Sequence, residues 1–334
     1  MPPTDPNAAI ALLHEAAATM LASPLRHGSV VRIPARGSLL ATGDLHDNPV
    51  HLRRVLVAAA LERGPDRHVI LHELIHGERL VDGADLSHRM LLRAAELVMR
   101  FPRQVHPLLA NHEISQLTGR SVSKGAGDSV VLFEDGLDRV FGDDWEAVAA
   151  AIRVFIAAMP LALRSDPDPR GRVVLCAHSL PAPHAMARFD FGVFDRPLDA
   201  QDFAGPTGAA YLMTWGRGLD ATHLARLGER LGVSLFCLGH QHAETGVELI
   251  APNAIVINSD HERGAVVPLD LEALPSAEEA AMLAIPLAGL GDGLERGKVA
   301  GPDAPDRAER SAARGGWRID GAGSGPEATR ESPG

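Results

Sequence analysis

The chain has 334 residues, of which 46% are hydrophobic and 22% are charged, and its formal net charge at pH 7 is -11. This composition is typical of a globular protein that buries a sizeable core. The negative charge argues against a protein that binds nucleic acid through its whole surface, because that mode needs clustered lysine and arginine side chains. No stretch reaches the roughly 18 uncharged apolar residues of a membrane helix, so we expect no membrane span.

The predicted elements begin with a loose leader and a helix over residues 8–22, which together form an N-terminal segment of residues 1–30. From Ser38 onward, short apolar runs alternate with helical stretches. The apolar runs are Ser38–Thr42, His68–Leu71, Val105–Ala110, Val173–Ala177, Ser234–Leu238 and Ala254–Ile257. The helical stretches are Pro49–Glu62, Leu86–Arg100, Asp143–Leu163 and Asp220–Leu231. This alternation predicts an α/β fold in which helices cover sheets.

The remaining chain divides into a folded domain over residues 31–275 and a C-terminal extension over residues 276–334. After about residue 290 the extension has almost no large apolar side chains, so we expect it to be mostly disordered. The acidic stretch from Glu134 to Asp144 predicts a solvated loop and the start of a helix. The two cysteines, Cys176 and Cys237, lie in apolar runs and predict reduced, buried thiols and a cytoplasmic location.

Side chains that can bind metals follow five of the apolar runs. They stand in the segments Gly43-Asp44-Leu45-His46, His72-Glu73, Asn111-His112-Glu113, His178 and Gly239-His240-Gln241-His242. Each segment alone is weak evidence, because Asp and His are common in turns and a histidine after an apolar strand is usually a hydrogen-bonded core residue. Loops beyond strand ends are where α/β folds assemble sites, so the five segments together predict one shared site. Carboxylate, imidazole and amide ligands suit Mn, Fe or Zn, which favours a two-metal site.

Four motifs resemble the ordered motifs of the calcineurin-like metallophosphoesterases, and specifically those of the phosphoprotein phosphatase (serine/threonine phosphatase) type. These motifs are Gly43–His46, Ala110–Glu113, Ala177–Leu180 and Gly239–His242. The segment Trp215-Gly216-Arg217-Gly218 resembles the family segment that supplies a phosphate-binding arginine. The resemblance spans roughly residues 36–272. It implies a four-layer α/β/β/α sandwich of two mixed sheets flanked by helices, with the metallophosphoesterase domain over residues 31–275.

The resemblance also implies a role for each residue of the site. It gives two divalent ions (Mn, Fe or Zn) the ligands Asp44, His46, Glu73, Asn111, His178 and His240. Glu73 would bridge the ions, His112 would protonate the leaving oxygen, and Arg217 would hold the phosphoryl oxygens. His242, His76 and Arg79 are additional candidates. The implied reaction is hydrolysis of a phosphomonoester in a phosphorylated protein or a small phosphorylated metabolite, with a metal-bridging hydroxide as nucleophile.

The second motif departs from the family pattern. Where the family usually has Gly-Asp-x-x-Asp-Arg-Gly, this chain has His72-Glu73-Leu74-Ile75-His76-Gly77-Glu78. Glu73 is one methylene longer than aspartate, His76 replaces the aspartate that orients the catalytic histidine, and Gly77 replaces an arginine that contacts phosphate. Arg79 is the candidate substitute for that arginine. These changes leave open a catalytically degenerate member of the fold that binds phosphate without cleaving it.

The same residues also fit the H-E-x-x-H motif of zinc peptidases. In that alternative His72 and His76 bind zinc from one face of a helix, and Glu73 activates a water molecule. The motif requires a helix through both histidines, whereas the preceding Val69–Leu71 reads as a short strand. A peptidase also leaves the other four segments without a role, so the sequence favours the phosphoesterase.

Overall fold

The computed structural model describes residues 3–120 and 128–291, all within one compact unit. Its strands are β1 Arg26–His27, β2 Val30–Ile33, β3 Ser38–Thr42, β4 Arg67–Leu71, β5 Val105–Pro107, β6 Ala162–Ser165, β7 Val174–Ala177, β8 Leu235–Leu238, β9 Val247–Ile250, β10 Ala254–Ile257, β11 Ala265–Asp270 and β12 Ile285–Pro286. Its α-helices are α1 Pro6–Leu21, α2 Pro49–Ala59, α3 His88–Arg100, α4 Asn111–Thr118, α5 Ser129–Phe141, α6 Trp145–Ala158, α7 Ala209–Thr214, α8 Ala221–Leu231 and α9 Ala277–Met282.

The strands form two mixed sheets. The first has seven strands in the order β1-β2-β6-β7-β8-β10-β9, and the second has five in the order β12-β11-β3-β4-β5. Strands β7, β8 and β10 run parallel to one another, as do β3, β4 and β5. Parallel neighbours end at the same edge of their sheet, so the loops after β3, β4, β7 and β8 are brought together in pairs.

Alternation of side chains along the strands separates two apolar layers. Leu39, Ile70, Cys176, Cys237 and Ile255 belong to a cluster made chiefly of strand residues from both sheets. Their neighbours in sequence, which point to the opposite faces, pack with the helices in a second and larger cluster. Two sheets that share one apolar layer and carry helices on their outer faces form the predicted α/β/β/α architecture, which is thereby confirmed.

The N-terminal helix and the C-terminal strand lie outside the predicted domain limits of 31 and 275. Helix α1 buries Leu13 and neighbouring alanines against α3 and α6. Strand β12 pairs with β11 at the edge of the second sheet. Both therefore contribute to the packing of the folded unit, while the limits themselves stay a prediction. The extension for which we predict disorder lies, from residue 292 onward, outside the described residues.

Two predicted elements were wrong in their extent. The helix predicted over Asp143–Leu163 ends at Ala158, because Met159 is extended before Pro160, as residues that precede proline usually are. The chain then continues as β6. The acidic stretch is not a loop, since its first part lies in α5, whose start is capped by Asp128 accepting hydrogen bonds from the N–H groups of Val130 and Val131.

Candidate metal centre

The site forms where the strands of both sheets end. Asp44 follows β3 and makes bridges to His72, after β4, and to Asn258, after β10. The Gly43 N–H donates to the Ser259 hydroxyl at 2.9 Å, which ties the end of β3 to the loop after β10. Side chains from both sheets therefore face one small space at the carboxyl edge.

Two groups of buried ligand atoms share one residue. Asp44, Glu73 and His178 form one group, and His46, Glu73 and His112 form the other; in each, the ligand atoms lie within 4.8 Å of one another. A Glu73 carboxylate oxygen lies 3.2 Å from His46 Nε2, and the other lies 3.7 Å from His178 Nε2. Glu73, one methylene longer than the usual aspartate, thus reaches both groups, as a bridging ligand must.

Asn111 and His240 complete the arrangement that the resemblance implies. The Asn111 Oδ1 lies 2.6 Å from His178 Nε2 and 2.8 Å from His240 Nδ1. The backbone N–H of His240 donates to both carboxylate oxygens of Asp44, at 3.0 and 3.1 Å. The structure therefore brings Asp44 and Asn111, which follow strands of the second sheet, together with His178 and His240, which follow strands of the first.

Electrostatics of the two carboxylates fit a bound cation. Burial, and then the neighbouring Glu73, raise the pKa of Asp44 well above its ordinary value. Burial also opposes ionisation of Glu73, but the imidazoles of His46, His112 and His178 hold its pKa well below the ordinary value. Two buried carboxylates this close repel each other unless positive charge lies between them.

Unsatisfied polar atoms point to the same conclusion. Among the described residues, Glu73 Oε1, His178 Nδ1 and His72 Nε2 are buried without a hydrogen-bond partner. Buried polar atoms in proteins are nearly always hydrogen-bonded or bound to an ion. The donor set of carboxylate, imidazole and amide atoms fits divalent ions such as Mn, Fe or Zn.

The backbone of the site is strained. His46, Glu73 and His240 have φ values of 38°, 40° and 67°, a left-handed region that residues other than glycine rarely adopt. Two glycines allow close approach, because a Cβ on Gly239 would lie 2.4 Å from Asp44 Oδ1 and a Cβ on Gly77 would lie 2.2 Å from the His46 carbonyl oxygen. Gly77 thus leaves no room for the arginine that the family usually has there.

The helix that the zinc peptidase alternative requires is absent. Strand β4 ends at Leu71, and helix α3 begins at His88, so the chain through His72 and His76 is irregular. His72 Nδ1 contacts the Thr42 carbonyl oxygen at 2.9 Å, whereas His76 Nδ1 contacts Asp85 Oδ2 at 2.9 Å. The two histidines therefore do not share a helix face.

The two predicted catalytic residues differ in burial. His112, in the first turn of α4, is buried, with its Nε2 3.6 Å from Glu73 Oε1. Arg217 is exposed, in the loop after α7. That loop is fixed at the site, because Ser179 Oγ donates to the Gly216 carbonyl oxygen at 2.7 Å and the Trp215 ring packs edge-on to the His240 ring, 6.3 Å away.

The additional candidates Arg79 and His242 lie at the rim, outside both ligand groups. Arg79 donates to the His46 carbonyl oxygen at 2.8 Å and to Asp260 Oδ1 at 2.7 Å, so its guanidinium joins two loops of the site. His242 is exposed, with its ring 5.2 Å from that of His261. His76, the third candidate, is buried behind His112.

Two supporting residues were not predicted as site residues. Glu113 Oε1 accepts a hydrogen bond from the Leu74 N–H at 2.8 Å and so holds the loop that carries Glu73. Burial, and then Glu73, raise the pKa of Glu113 to about 7. Its position after His112 was a signal in the sequence. Asp85, the partner of His76, had only the cap-like spacing of Asp85 and Ser87 before α3 to indicate it.

Comparison with known proteins shows the family of the chain. Residues 37–244 match the sequence profile of the family described as calcineurin-like phosphoesterase, and that range holds every residue of the two ligand groups. The chain belongs to this family. Family membership makes it a metal-dependent phosphatase by class. A comparison with curated proteins returns no significant match.

Solved structures with the same fold include two phosphatases. A protein serine/threonine phosphatase from Saccharomyces cerevisiae is 14% identical, with a TM-score of 0.58 over 79% of this chain and 82% of that one. A cold-active protein-tyrosine phosphatase from a psychrophilic Shewanella species is 15% identical, with a TM-score of 0.54 over 77% of this chain and 80% of that one. At such low identity both show the fold alone. Over residues 3–120 and 128–291, no helix of this phosphoesterase is long and apolar enough to cross a membrane.

Proposed function

We propose that this phosphoesterase is a dinuclear-metal-dependent phosphomonoesterase of the serine/threonine protein phosphatase type. The observation that carries the proposal is the placement of Glu73 in both ligand groups, where one carboxylate reaches two sites. Phosphoester hydrolysis by two ions uses such a shared ligand to hold them close together. The alternative of a degenerate phosphate-binding member differs only in turnover, which the experiment below measures.

The resemblance supplies the ligand roles: Asp44 and His46 would hold one ion, and Asn111, His178 and His240 the other, with Glu73 shared between them. In the structure Glu73 lies in both ligand groups, while Asp44 lies in the group of His178 and His46 in the other. The contacts of Asn111 with His178 and His240 support their shared role. When bound, the ions would supply positive charge for the phosphoryl group and lower the pKa of water so that hydroxide is available near neutral pH. The hydrogen bonds from the His240 N–H to Asp44 keep that carboxylate oriented.

The chain itself supplies the acid and the phosphate-binding group. His112 Nε2 lies on the Glu73 side of its ring, facing the site, so a proton on this nitrogen is placed for a leaving oxygen. The exposed Arg217 follows Trp215, whose ring packs against His240, and Gly216, whose carbonyl oxygen accepts a hydrogen bond from Ser179. Its planar guanidinium can hold two phosphoryl oxygens at once, which a lysine cannot do.

The proposal also covers the substrate, the metal ions and the cellular location of the protein. The substrate would be a phosphorylated protein or a small phosphorylated metabolite, and the ions would be Mn, Fe or Zn. Cys176 and Cys237 lie opposite each other on β7 and β8, and both are buried free thiols. Neighbouring thiols that stay reduced fit a cytoplasmic protein.

Metal analysis combined with a substrate panel tests the proposal. The purified protein would be loaded with Mn, Fe or Zn, and metal content and hydrolysis of p-nitrophenyl phosphate, phosphoserine and phosphothreonine peptides and a phosphotyrosine peptide would be measured. We expect about two ions per chain, and hydrolysis that is lost in Asp44→Asn. The matched control is Asp168→Asn, a buried aspartate that accepts hydrogen bonds from the backbone of residues 170, 172 and 274.

Each outcome separates the alternatives. Two ions with hydrolysis of the phosphoserine or phosphothreonine peptide support the proposal as stated. Hydrolysis of the phosphotyrosine peptide alone would refute the serine/threonine type but keep the phosphomonoesterase. Two ions and phosphate binding without hydrolysis of any substrate would establish the degenerate alternative.

A further inference from the structure

A small cavity lies between helix α4, helix α7 and the segment that leads into α7. Its volume is about 240 Å³. Ile114 and Phe203 line it and are buried, whereas Thr118 and Arg120, which also line it, are exposed. The cavity therefore opens to solvent on one side and reaches into the protein on the other.

Aromatic rings form one wall of this cavity. The rings of Tyr211 and Trp215 are stacked, with centroids 5.4 Å apart and an angle of 21° between their planes. Phe203 adds a third ring. Arg120 donates from its NH1 group to the Gly205 carbonyl oxygen at 2.7 Å, which joins the chain after α4 to the segment before α7. Aromatic rings pack favourably against a further ring, so this wall suits an aromatic occupant.

The two hydroxyl groups of the lining donate hydrogen bonds within α4. The Ser115 hydroxyl donates to the Asn111 carbonyl oxygen at 2.9 Å. The Thr118 hydroxyl donates to the Ile114 carbonyl oxygen at 2.8 Å. An occupant of the cavity therefore meets rings and hydrocarbon groups rather than free hydroxyl donors. Such a lining favours an apolar ring over a sugar or a nucleobase, whose polar atoms would lose their hydrogen bonds to water.

Two residues of the lining contact the metal centre directly. The Trp215 ring packs edge-on to the His240 ring, with centroids 6.3 Å apart, and the Ser115 hydroxyl is bonded to the backbone of Asn111. Asn111 and His240 also contact each other, at 2.8 Å. The cavity therefore adjoins the side of the centre that Asn111 and His240 occupy. An extended peptide advances about 3.3 Å per residue, so one or two residues span the distance between the two rings.

We propose that this cavity binds an aromatic side chain of a phosphorylated peptide, one or two residues away from the phosphoserine or phosphothreonine, a step that rests on the proposed function. The volume fits one ring, because a cavity of about 150 Å³ already holds benzene. Sites for whole small-molecule ligands are larger, at about 300–1,000 Å³. The cavity is thus a specificity site for one side chain of the substrate, separate from the groups that hold the phosphate.

Hydrolysis of matched phosphoserine peptides measures the preference. The peptides carry phenylalanine or alanine at one of four positions, one or two residues before or after the phosphoserine, and phosphate release gives kcat and KM. Burial of one ring should raise kcat/KM by about 10–100-fold for phenylalanine over alanine at one of these positions, mainly through a lower KM. Equal values for phenylalanine and alanine at all four positions would overturn the proposal.

Two variants locate the preference in the cavity. Thr118→Phe fills the cavity from its exposed rim, and Tyr211→Leu removes one ring of its wall. We expect Thr118→Phe to reduce the preference for phenylalanine to about twofold or less while kcat/KM for the alanine peptide is unchanged, and Tyr211→Leu to reduce it in part. A variant that only loses fold would lower the rates for both peptides equally and keep their ratio. A ratio that both variants leave unchanged would overturn the proposal.

Phe194→Leu is the matched control. Phe194 is a partly buried ring that packs 6.1 Å from the Phe189 ring and lies outside the lining of the cavity, so the preference should not change. A preference for adenosine 5′-phosphate over ribose 5-phosphate that Thr118→Phe removes would place a nucleobase in the cavity and overturn the proposal.

A binding measurement separates this proposal from the proposed function. If the wild-type protein hydrolyses no peptide, the proposed function fails, and NMR of 15N-labelled tryptophan with p-cresol as the probe then decides whether the cavity takes a ring. We expect p-cresol to move the indole signal of Trp215 in the wild-type protein and not in Thr118→Phe. An indole signal that p-cresol leaves in place in the wild-type protein would overturn the assignment of the cavity.

Discussion

Replacing Asp44 by asparagine should stabilise the metal-free protein. Burial and Glu73 raise the pKa of Asp44, so the metal-free protein either keeps both carboxylates charged or takes up a proton on Asp44, and each state costs free energy. The ligand atoms lie within 4.8 Å of each other, where two unit charges repel by about 3 kcal/mol at an effective dielectric constant of about 20, which sets the scale of that cost. The variant keeps the shape of the side chain but replaces a charged acceptor of the His240 N–H by a neutral one, which costs about 1–2 kcal/mol. The expected net gain is about 1–2 kcal/mol, or about 2–6 °C in Tm.

Thermal unfolding in EDTA and in MnCl2 measures the effect. In EDTA, Asp44→Asn should unfold at a higher temperature than the wild-type protein. With free Mn²⁺ at about 100 times its Kd, the wild-type protein should gain about 2.7 kcal/mol by mass action, and the variant, which lacks one anionic ligand, should gain less. The order of stability should therefore reverse when the metal is added.

The matched control for Asp44→Asn is the same substitution at a buried aspartate away from the site. Asp168→Asn removes a buried carboxylate that accepts backbone N–H hydrogen bonds away from the site, so it should lower stability by the same amount in both solutions. An Asp44→Asn variant that is less stable than the wild-type protein in EDTA would show that the two carboxylates do not repel as the geometry requires. Equal gains in MnCl2 would remove Asp44 from the metal ligands.

Three further predictions concern phosphate binding, close packing and pH. Arg217→Lys should retain metal binding but lose roughly 10²-fold in kcat, since it removes the bidentate donor, and unchanged turnover would exclude Arg217 from the site. Gly239→Ala places a Cβ 2.4 Å from Asp44 Oδ1 and should weaken Mn²⁺ binding by about 10–100-fold in calorimetry, whereas unchanged affinity would contradict the close approach. Burial lowers the pKa of His68 to about 4 and that of His106 to about 3. As pH drops below about 6.5, these two histidines are protonated in the unfolded chain before they are protonated in the folded protein, so the free energy of unfolding should fall. His106→Leu should reduce the loss between pH 7 and pH 5 by about 2 kcal/mol in urea unfolding, and an unaltered pH dependence would refute the shift.

The residues that the sequence could place are those whose position follows from strand order. Asp44, Glu73, His178 and His240 each come directly after an apolar run, and parallel strands end at one edge whatever the loops between them do. The two-residue alternation of a strand and the residue at which the strand ends are both determined by the local sequence. The α/β/β/α layers came from the resemblance, since periodicity alone gives only an α/β fold.

The residues that the sequence could not place depend on contacts between loops. Asp85 contacts His76 only because the irregular segment between them folds back on itself. The pattern of apolar residues does not predict such a contact. The end of the helix before β6 depends on Pro160, which acts on the residue before it rather than on the apolar pattern. Gly77 cannot carry a Cβ because the His46 carbonyl oxygen lies against it. The two residues are distant in sequence, so this contact can be identified only from the folded structure.

The left-handed conformations of His46, Glu73 and His240 have a consequence for engineering. A residue with a Cβ costs roughly 1–2 kcal/mol in this region, so glycine at any of the three positions would relax the main chain while removing a side chain of the site. Laboratory selection for heat tolerance alone would then drift toward variants that withstand heating but have lost their ligands. A screen for hardier forms of this protein must therefore reward turnover at every round, or hold these three codons fixed.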